Sequence, residues 1–338
     1  MSMHKIVRAA AVGVALSSAL FLSACSDTAE TADAGSTSDE SLSIGFFGFS
    51  KTNSFAQAAF AGISEYAEAN DATAEFTDPN FDVQVQLQQL KDALTSKRFD
   101  VWIVQANDGV AVQQTIQEAV DAGITVVAEF TPIGPDFETL KPQIPGTLSL
   151  VDDPKRNGTV LGELSIDACA DAGADPCEVA YLQGFSAQPI DVVRTDAFLA
   201  AVDRPGVEVV ANVEGGYAQD TGRAAVQDIL QANPDVDVIA GASSAALLGA
   251  IELPGIDDVR IVGNGSSTQA VTAVQDGDFY AVYVFAEKTA GAKAAEMGLA
   301  AARGEEVDPA YVGYDELTPF GVLGTKENLD GYTGEYSD

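Results

Sequence analysis

The chain has 338 residues, a formal net charge of −34 at pH 7 and a hydrophobic content of 46%. A surface this acidic repels nucleic-acid phosphates and anionic lipid headgroups, so we expect no nucleic acid among its partners. The same charge keeps a protein soluble, and we interpret it in that way rather than as the mark of a charge-selective site. The length that follows the N-terminal region suggests two domains.

The single histidine narrows the chemistry further. His4 lies in a segment that we expect to be removed, so the mature chain has no histidine. This excludes Ser-His-Asp and Cys-His catalysis together with histidine metal sites. A carboxylate-based hydrolase is the less favoured alternative. Adjacent acids such as Asp152 and Asp153 face opposite ways on a strand, so such a pair alone does not form a catalytic couple. We expect neither a metal nor a cofactor.

The N-terminal segment begins with Lys5 and Arg8 and continues through residues 9–24, which are almost all Ala, Val, Leu, Phe and Ser. A membrane-spanning helix needs about 20 apolar residues, so we interpret the shorter run in residues 1–24 as a signal peptide. Its end, Leu-Ser-Ala-Cys, resembles the bacterial lipoprotein box, which implies that Cys25 carries lipid after cleavage. The protein would then be extracytoplasmic and anchored to the cell membrane through this lipid alone. An uncleaved anchor and a plain signal peptide are the alternatives.

A change in composition marks the start of the folded part. Residues 26–41 have no aromatic side chain and only alanine as an aliphatic one, so residues 25–41 are predicted to be a flexible linker. From residue 42 onward, β-rich runs such as SLSIGFFGF, TAEFT and VWIVQ alternate with segments whose apolar residues recur at helical spacing. The nearly continuous apolar run VWIVQ is typical of a strand that is covered on both faces.

This alternation stops once and then restarts. Residues 131–146 are rich in proline and show no periodic pattern, so we place a domain boundary there. Strands and helical segments then follow one another again, which predicts an α/β fold of two doubly wound parallel-sheet lobes. We assign residues 42–147 and 286–313 to the N-terminal lobe, and residues 148–285 and 314–330 to the C-terminal lobe.

Two cysteines lie within the second half of the chain. Cys169 and Cys177 occur in CADAGADPC, where a glycine and a proline allow the chain to turn. In an extracytoplasmic protein this arrangement predicts a disulfide-closed loop. Two free thiols are the alternative, while a closed zinc site would need four good ligands.

Polar and aromatic residues follow several of the predicted strands. Ligands of open α/β sheets sit beyond the carboxyl ends of the strands, so two such lobes would face each other across a cleft. Aromatic and amide side chains together are typical of a small-molecule pocket. The residues predicted to bind the ligand are Phe49, Asn53, Phe55, Gln105, Asp108, Phe130, Asp152, Phe185, Tyr217, Ser243, Asn264 and Phe285.

The order and spacing of several motifs extend the interpretation over residues 43–329. They are IGFFGFSKTNSFAQAAFAGI, FDVWIVQANDGVAVQQTIQEAVDAGITVV, YLQGF with RTDAF, ANPDVDVIAG, VRIVGNG and GTKENLDGY. In these motifs the chain resembles periplasmic sugar-binding proteins of the ribose-binding type, the receptors of ABC importers. The resemblance implies a type I periplasmic-binding fold of two lobes joined by three hinge crossings, a ligand trapped by closure, and no catalysis.

The resemblance also implies roles and partners. Asn53 and Phe55 match positions that bond to and stack on a sugar, Gln105 matches a polar contact, and Tyr217 matches an aromatic residue of the cleft. The partners would be a small-molecule ligand and an ABC permease in the membrane, and we expect a monomer. A sensor that presents its closed form to a membrane receptor is the alternative.

Departures from the family pattern bear on the ligand. Arg194 is expected to be structural, since the arginine of this family would stand at Val192. With these replacements the cleft offers fewer charged partners for the hydroxyl groups of a sugar. Each hydroxyl group that is buried without a partner costs about 1–3 kcal/mol of binding free energy. The ligand is therefore a sugar, a sugar-like molecule or a less polar one. The other replaced positions are Phe130-Thr131, or Glu129-Phe130 in the alternative register, for Asp-Arg, Ser243-Ser244 for Asn-Asp, Gly265 for an aspartate and Phe285 for the hinge glutamine.

Overall fold

The computed structural model describes residues 41–338. The predicted signal peptide, nearly all of the predicted linker and Cys25 lie outside the described residues. Within residues 41–338, no helix has the length and apolar character needed to cross a membrane.

Strands and helices alternate along most of the described chain. The strands are β1 Leu42–Phe47, β2 Ala72–Thr77, β3 Val101–Val104, β4 Thr125–Phe130, β5 Leu148–Val151, β6 Cys177–Gln183, β7 Val207–Glu214, β8 Val238–Gly241, β9 Arg260–Asn264, β10 Ala281–Tyr283, β11 Tyr311–Gly313 and β12 Leu323–Thr325. The helices are α1 Ser54–Ala69, α2 Val83–Ser96, α3 Gln113–Asp121, α4 Pro154–Ala172, α5 Pro189–Val202, α6 Gln219–Ala232, α7 Ser244–Leu248, α8 Thr268–Asp276 and α9 Glu287–Ala302. A 3₁₀ helix covers Tyr314–Glu316.

The strands form two six-stranded sheets, one in each lobe. The first has the order β11-β5-β4-β3-β1-β2, and all its neighbouring strands are parallel. The second has the order β12-β10-β9-β8-β6-β7 and is parallel except for the pair β10 and β12. Every residue of β3 is buried, because helices cover both faces of a parallel sheet. The predicted fold class of two α/β lobes is confirmed.

The boundary that we predicted after residue 147 is wrong. Strand β5 pairs in parallel with β4, so Leu148–Val151 belongs to the first sheet rather than to the C-terminal lobe. The proline-rich residues 131–146 are a connection within the first lobe, and Ile133 and Ile144 are buried in its core. The chain first crosses between the lobes after β5.

Within residues 41–338, three crossings join the lobes. The first leads from β5 to α4, which packs against α5 of the second lobe. The second leads from β10 of the second sheet to α9, which packs against α1 of the first lobe. The third leads from β11 back to β12 through the 3₁₀ helix. All three pass beside the carboxyl ends of the strands, where a ligand would be expected.

Helices α1 and α9 approach each other closely because glycines lie at their crossing. A Cβ atom on Gly62 would be 1.9 Å from the carbonyl oxygen of Lys288, and one on Gly291 would be 2.0 Å from that of Ala59. Any side chain there would force the helices apart. This contact places the N-terminus of α1 beside the second crossing. In the other lobe, the predicted disulfide joins Cys169 of α4 to Cys177 of β6.

Candidate functional site

A cavity of about 60 Å³ lies between the lobes, at the carboxyl ends of both sheets. Most of the residues predicted from the sequence line it: Phe49, Asn53, Phe55, Phe130, Tyr217, Ser243, Asn264 and Phe285. Gln188 and Ser244, which also follow predicted strands, line it too, and the sequence analysis missed Ser54, Phe81, Ile190, Arg194, Ala242, Ala245, Tyr336 and Asp338. The cavity is therefore built from both lobes and from the end of the described chain.

The N-terminus of α1 forms one side of the cavity. Asn53 is the N-cap residue, and its side-chain oxygen accepts a hydrogen bond from the backbone N–H of Ala56 at 2.9 Å. An asparagine at this position satisfies a backbone donor that has no partner within the helix. The cap fixes the side chain of Asn53 at the cavity wall and directs Ser54 and Phe55 of the first turn to the same side.

Aromatic rings from both lobes form the base of the cavity. Phe55 and Phe130 of the first lobe lie 4.8 Å apart, and each ring meets the ring of Phe285, which follows β10, at 5.5 and 5.2 Å. These contacts are edge-to-face, a geometry that aromatic pairs prefer. Phe130 adopts a left-handed backbone with φ of 59°, which is unfavourable for a bulky residue and is held here by packing. Tyr314 packs edge-on beneath Phe130 and Phe285.

The lobes also touch at the mouth of the cavity. Phe81 of the first lobe stacks on Tyr217 of the second at 6.0 Å and meets Phe185 edge-on at 5.3 Å. Phe81 also has a left-handed backbone, with φ of 61°. Phe185, predicted to bind the ligand, lies in this contact and does not line the cavity. The two lobes are thus in contact across the cleft, as in a closed binding protein.

A buried ion pair forms the wall of the second lobe. Arg194 donates to Asp191 at 2.7 Å, and both side chains are at most 2% exposed. The hydroxyl of Tyr217 and the backbone N–H of Phe185 also donate to the Asp191 carboxylate. Within the described chain, Nε of Arg194 has no hydrogen-bond partner. We expected Arg194 to be structural. Its guanidinium is held in a buried ion pair, but the residue also lines the cavity.

Two further polar residues of the second lobe are held by their own elements. Ser243 is the N-cap of α7, and its hydroxyl accepts from the backbone N–H of Ala246 at 3.4 Å. Asn264, at the end of β9, donates to the carbonyl oxygen of Ala242 at 3.1 Å and accepts from Asn157 at 3.0 Å. These bonds fix both side chains at the cavity wall before any ligand binds.

Three other predicted residues do not line the cavity, and each bonds to groups of the protein instead. Gln105 is fully buried, accepts from the backbone N–H of Phe49 at 3.4 Å and donates to Glu287 at 3.0 Å. Asp108 accepts from two backbone N–H groups of its own turn, at 2.9 and 3.0 Å. Asp152 accepts from the hydroxyl of Tyr283 at 2.8 Å. These residues position the site from behind.

Buried carboxyl groups lie at the hinge crossings beneath the rings. Tyr314 donates a hydrogen bond to Glu129 and contacts Glu287 at 2.9 Å. Burial raises the pKa of Glu129 to about 7, and burial together with the charge of Glu129 holds the pKa of Glu287 well above its usual range. Burial also raises the pKa of Asp152 to about 7. Burial thus favours the protonated form of all three acids, and none of them lines the cavity.

The fold and the cavity define an α/β protein with a small cavity between two lobes. The family model described as periplasmic binding protein domain matches residues 44–306, and the chain belongs to this family. Members of this class are extracytoplasmic binding proteins rather than enzymes, so the prediction of a binding protein is confirmed.

Curated relatives and solved structures agree with this assignment. The ribose import binding protein RbsB of Escherichia coli (strain K12) is 24% identical over 229 residues, which are 67% of this chain and 73% of the relative. The protein of the same name from Bacillus subtilis (strain 168) is 23% identical over 273 residues, 79% and 84% of the two chains. An ABC transporter solute-binding protein from Mycobacterium smegmatis, solved with bound glycerol, is 25% identical and has a TM-score of 0.73, with 88% of this chain and all of that chain covered. One from Bacillus halodurans with bound myo-inositol has a TM-score of 0.72 at 21% identity, and covers 89% of this chain.

Proposed function

We propose that the protein binds a small neutral polyol or sugar between its lobes and delivers it to an ABC permease. The observation that carries this proposal is the cavity itself, where aromatic rings and a few fixed polar groups converge from both lobes. The faces of Phe55 and Phe130 suit the C–H surface of a sugar ring or polyol chain. Asn53, Asn264 and Arg194 offer hydrogen-bond partners for hydroxyl groups.

The size of the cavity favours a small ligand. Its volume is about 60 Å³ in the closed arrangement. A single buried water needs roughly 10–15 Å³ of occupied volume, so the cavity is larger than a site for one water molecule. We therefore expect a short polyol to fit between the lobes in the closed arrangement. Relatives named as ribose import proteins and neighbours solved with glycerol and myo-inositol support the same chemical range.

We further propose that lipid on Cys25 anchors the protein at the outer face of the cell membrane, with residues 26–41 as a linker and the folded part acting as a monomer. The Leu-Ser-Ala-Cys pattern supports this proposal. Replacing Cys25 with serine should release the protein from the membrane fraction. A Cys25→Ser protein that stays in the membrane would contradict lipid anchoring.

A thermal-shift screen tests the proposed binding. The purified protein is heated with glycerol, D-arabinose, D-allose, myo-inositol, amino acids and nucleosides in turn. A ligand that binds the native state alone stabilises it by RT ln(1 + [L]/Kd), about 2.7 kcal/mol at a hundredfold excess over Kd. We expect a shift of several degrees with a polyol or sugar and none with the amino acids. A shift confined to amino acids or nucleosides would overturn the proposal.

A further inference from the structure

The last described residues form a strap, residues 334–338, that lies against both lobes. In the second lobe, the backbone N–H of Thr268 donates to the carbonyl oxygen of Tyr336 at 2.7 Å, and Gln269 exchanges two hydrogen bonds with the backbone of Asp338 at 3.0 and 3.1 Å. In the first lobe, the backbone N–H of Thr289 donates to Glu335 at 2.9 Å. The strap therefore bridges the cleft.

Two residues of the strap reach the cavity itself. Tyr336 meets the ring of Phe55 edge-on at 6.2 Å, and Asp338 accepts a hydrogen bond from the hydroxyl of Ser54 at 2.6 Å. Both line the cavity between the lobes. The strap is therefore part of the wall that a ligand would touch.

A glycine makes room for the tyrosine. Gly265 follows β9 with φ of 116°, and a Cβ atom built on it would lie 3.1 Å from the hydroxyl of Tyr336. A larger side chain at position 265 would meet the tyrosine hydroxyl. Tyr336 thus occupies space that a side chain at position 265 would need. This close fit indicates that the strap packs specifically against the second lobe.

We propose that Tyr336 and Asp338 are specificity-determining residues of the binding site, an inference that rests on the proposed polyol binding. The ring of Tyr336 closes one end of the cavity and limits the length of the ligand. The carboxylate of Asp338 accepts a hydrogen bond from a ligand hydroxyl and repels anionic ligands. Arg194 does not offset this selection, because its charge is paired with Asp191.

The strap also couples ligand selection to closure. Its bonds to Thr289 and Ser54 in one lobe and to Thr268 in the other are all present in this closed arrangement. A ligand that touches Tyr336 and Asp338 therefore stabilises the closed form through the strap as well as through the two sheets.

Titration calorimetry with glycerol, D-arabinose, D-allose and myo-inositol tests the assignment in three variants. We expect Asp338→Asn to weaken the best-bound polyol about tenfold, as for the loss of one charge-assisted hydrogen bond. We expect Tyr336→Ala to change the affinity ratio of the larger ligands to glycerol by about tenfold in favour of the larger ones. Ser337→Ala, an exposed position between the two, is the matched control and should bind as the wild type does. Unchanged affinities and ratios in Tyr336→Ala and Asp338→Asn would overturn the assignment.

A measurement without ligand separates this inference from the proposed function. The amides of Thr268 and Thr289 donate to the strap, so removal of residues 334–338 should speed their hydrogen exchange, while amides within β3 stay protected. Equal exchange with and without the strap would show that it is not docked and would overturn the inference. If the wild type bound none of the polyols, the proposed function would fail and the polyol selectivity assigned to Tyr336 and Asp338 would fail with it. If the wild type bound them and the variants bound them equally, the inference alone would fail.

Discussion

Gln188 of the second lobe donates a hydrogen bond from Nε2 to Oδ1 of Asn107 in the first lobe, at 3.3 Å. Asn107 lies just beyond β3 and Gln188 is the N-cap residue of α5, so the bond spans the cleft. Both side chains are buried. An opening of the cleft would break this bond and separate Phe81 from Phe185 and Tyr217, so the closed form is held by contacts at the mouth of the cavity.

Removing the ring at the mouth should weaken ligand binding. We expect Phe81→Gly to lower affinity roughly tenfold, because two aromatic contacts between the lobes, each worth about 0.5–1.5 kcal/mol, stabilise the closed form. Glycine also accepts the left-handed backbone at this position, so the substitution adds no backbone strain. Asn80→Gly is the control, since Asn80 lies in the same turn with φ of 50° and carries no ring. Equal affinities of the two variants in calorimetry would show that the ring does not hold the lobes together.

Asn53 should have separate effects on stability and on affinity. We expect Asn53→Ala to cost about 1 kcal/mol of unfolding free energy through loss of the N-cap and to weaken ligand binding about tenfold. Asp82→Ala is the matched control, because Asp82 caps α2 in the same way and does not line the cavity. Urea unfolding and calorimetry on both variants separate the two effects. Equal loss of affinity in Asp82→Ala would mean that Asn53 acts only as a cap.

Breaking the buried ion pair of Arg194 and Asp191 should lower the free energy of unfolding strongly. We expect Arg194→Met to destabilise the protein by about 3–5 kcal/mol, because it leaves the Asp191 carboxylate buried without a counter-charge. Adding Asp191→Asn should restore part of the loss. Arg98→Met removes an exposed pair with Glu75 and should cost about 1 kcal/mol or less in the same urea unfolding experiment. Similar losses for Arg194→Met and Arg98→Met would contradict the role of burial.

The acids at the hinge should make stability depend on pH. Burial raises the pKa of Asp152 from 3.8 to about 7, so the native state holds this proton more tightly than the unfolded chain does. Protonation of Asp152 therefore adds to the free energy of unfolding. This stabilisation is fully present below about pH 4 and is lost as the pH rises through 7, on the order of 4 kcal/mol in total. Burial also raises the pKa of Glu129, to about 7, so its effect on stability has the same sign.

Urea unfolding between pH 4 and pH 8 checks this dependence at constant salt concentration. We expect Asp152→Asn to flatten the decline in stability, because an amide has no proton to lose over this range while its oxygen can still accept from Tyr283. Asp153→Asn changes the neighbouring acid, which caps α4, and serves as the control. A decline as steep in Asp152→Asn as in the wild type would place the titrating groups elsewhere.

The parallel sheets could be predicted because a strand that is buried on both faces is apolar along its whole length, as Val101–Val104 is. The lobe to which Leu148–Val151 belongs could not be predicted in this way. Its apolar run would suit either sheet, and its backbone pairing with Thr125–Phe130 depends on the path of the chain through residues 131–146.

Site residues could be predicted where their position at the end of a strand is enough to place them at the cavity. They could not be predicted where the direction of the side chain decides whether it reaches the cavity. Phe130 ends β4 and Phe285 follows β10, and both line the cavity. Asp152 also follows a strand end, yet its carboxylate turns toward Tyr283. Asp338 contacts Ser54 across a sequence separation of 284 residues, a relationship without any local pattern. For Tyr336, the only sequence signal was a tyrosine in the short segment after GTKENLDGY, which is too weak to place it in the site.

Titration calorimetry of the polyol found in the thermal-shift screen, on the wild type and on Phe55→Ala, tests binding between the lobes most directly. Phe60→Ala is the matched control, because Phe60 lies on the same helix and packs against Phe46 and Phe76 instead of the cavity. We expect one polyol per chain for the wild type and for Phe60→Ala, and a loss of at least about tenfold in affinity for Phe55→Ala, which gives up a ring of the aromatic base. Binding of equal strength in Phe55→Ala, or no binding of any polyol to the wild type, would contradict a polyol site between the lobes.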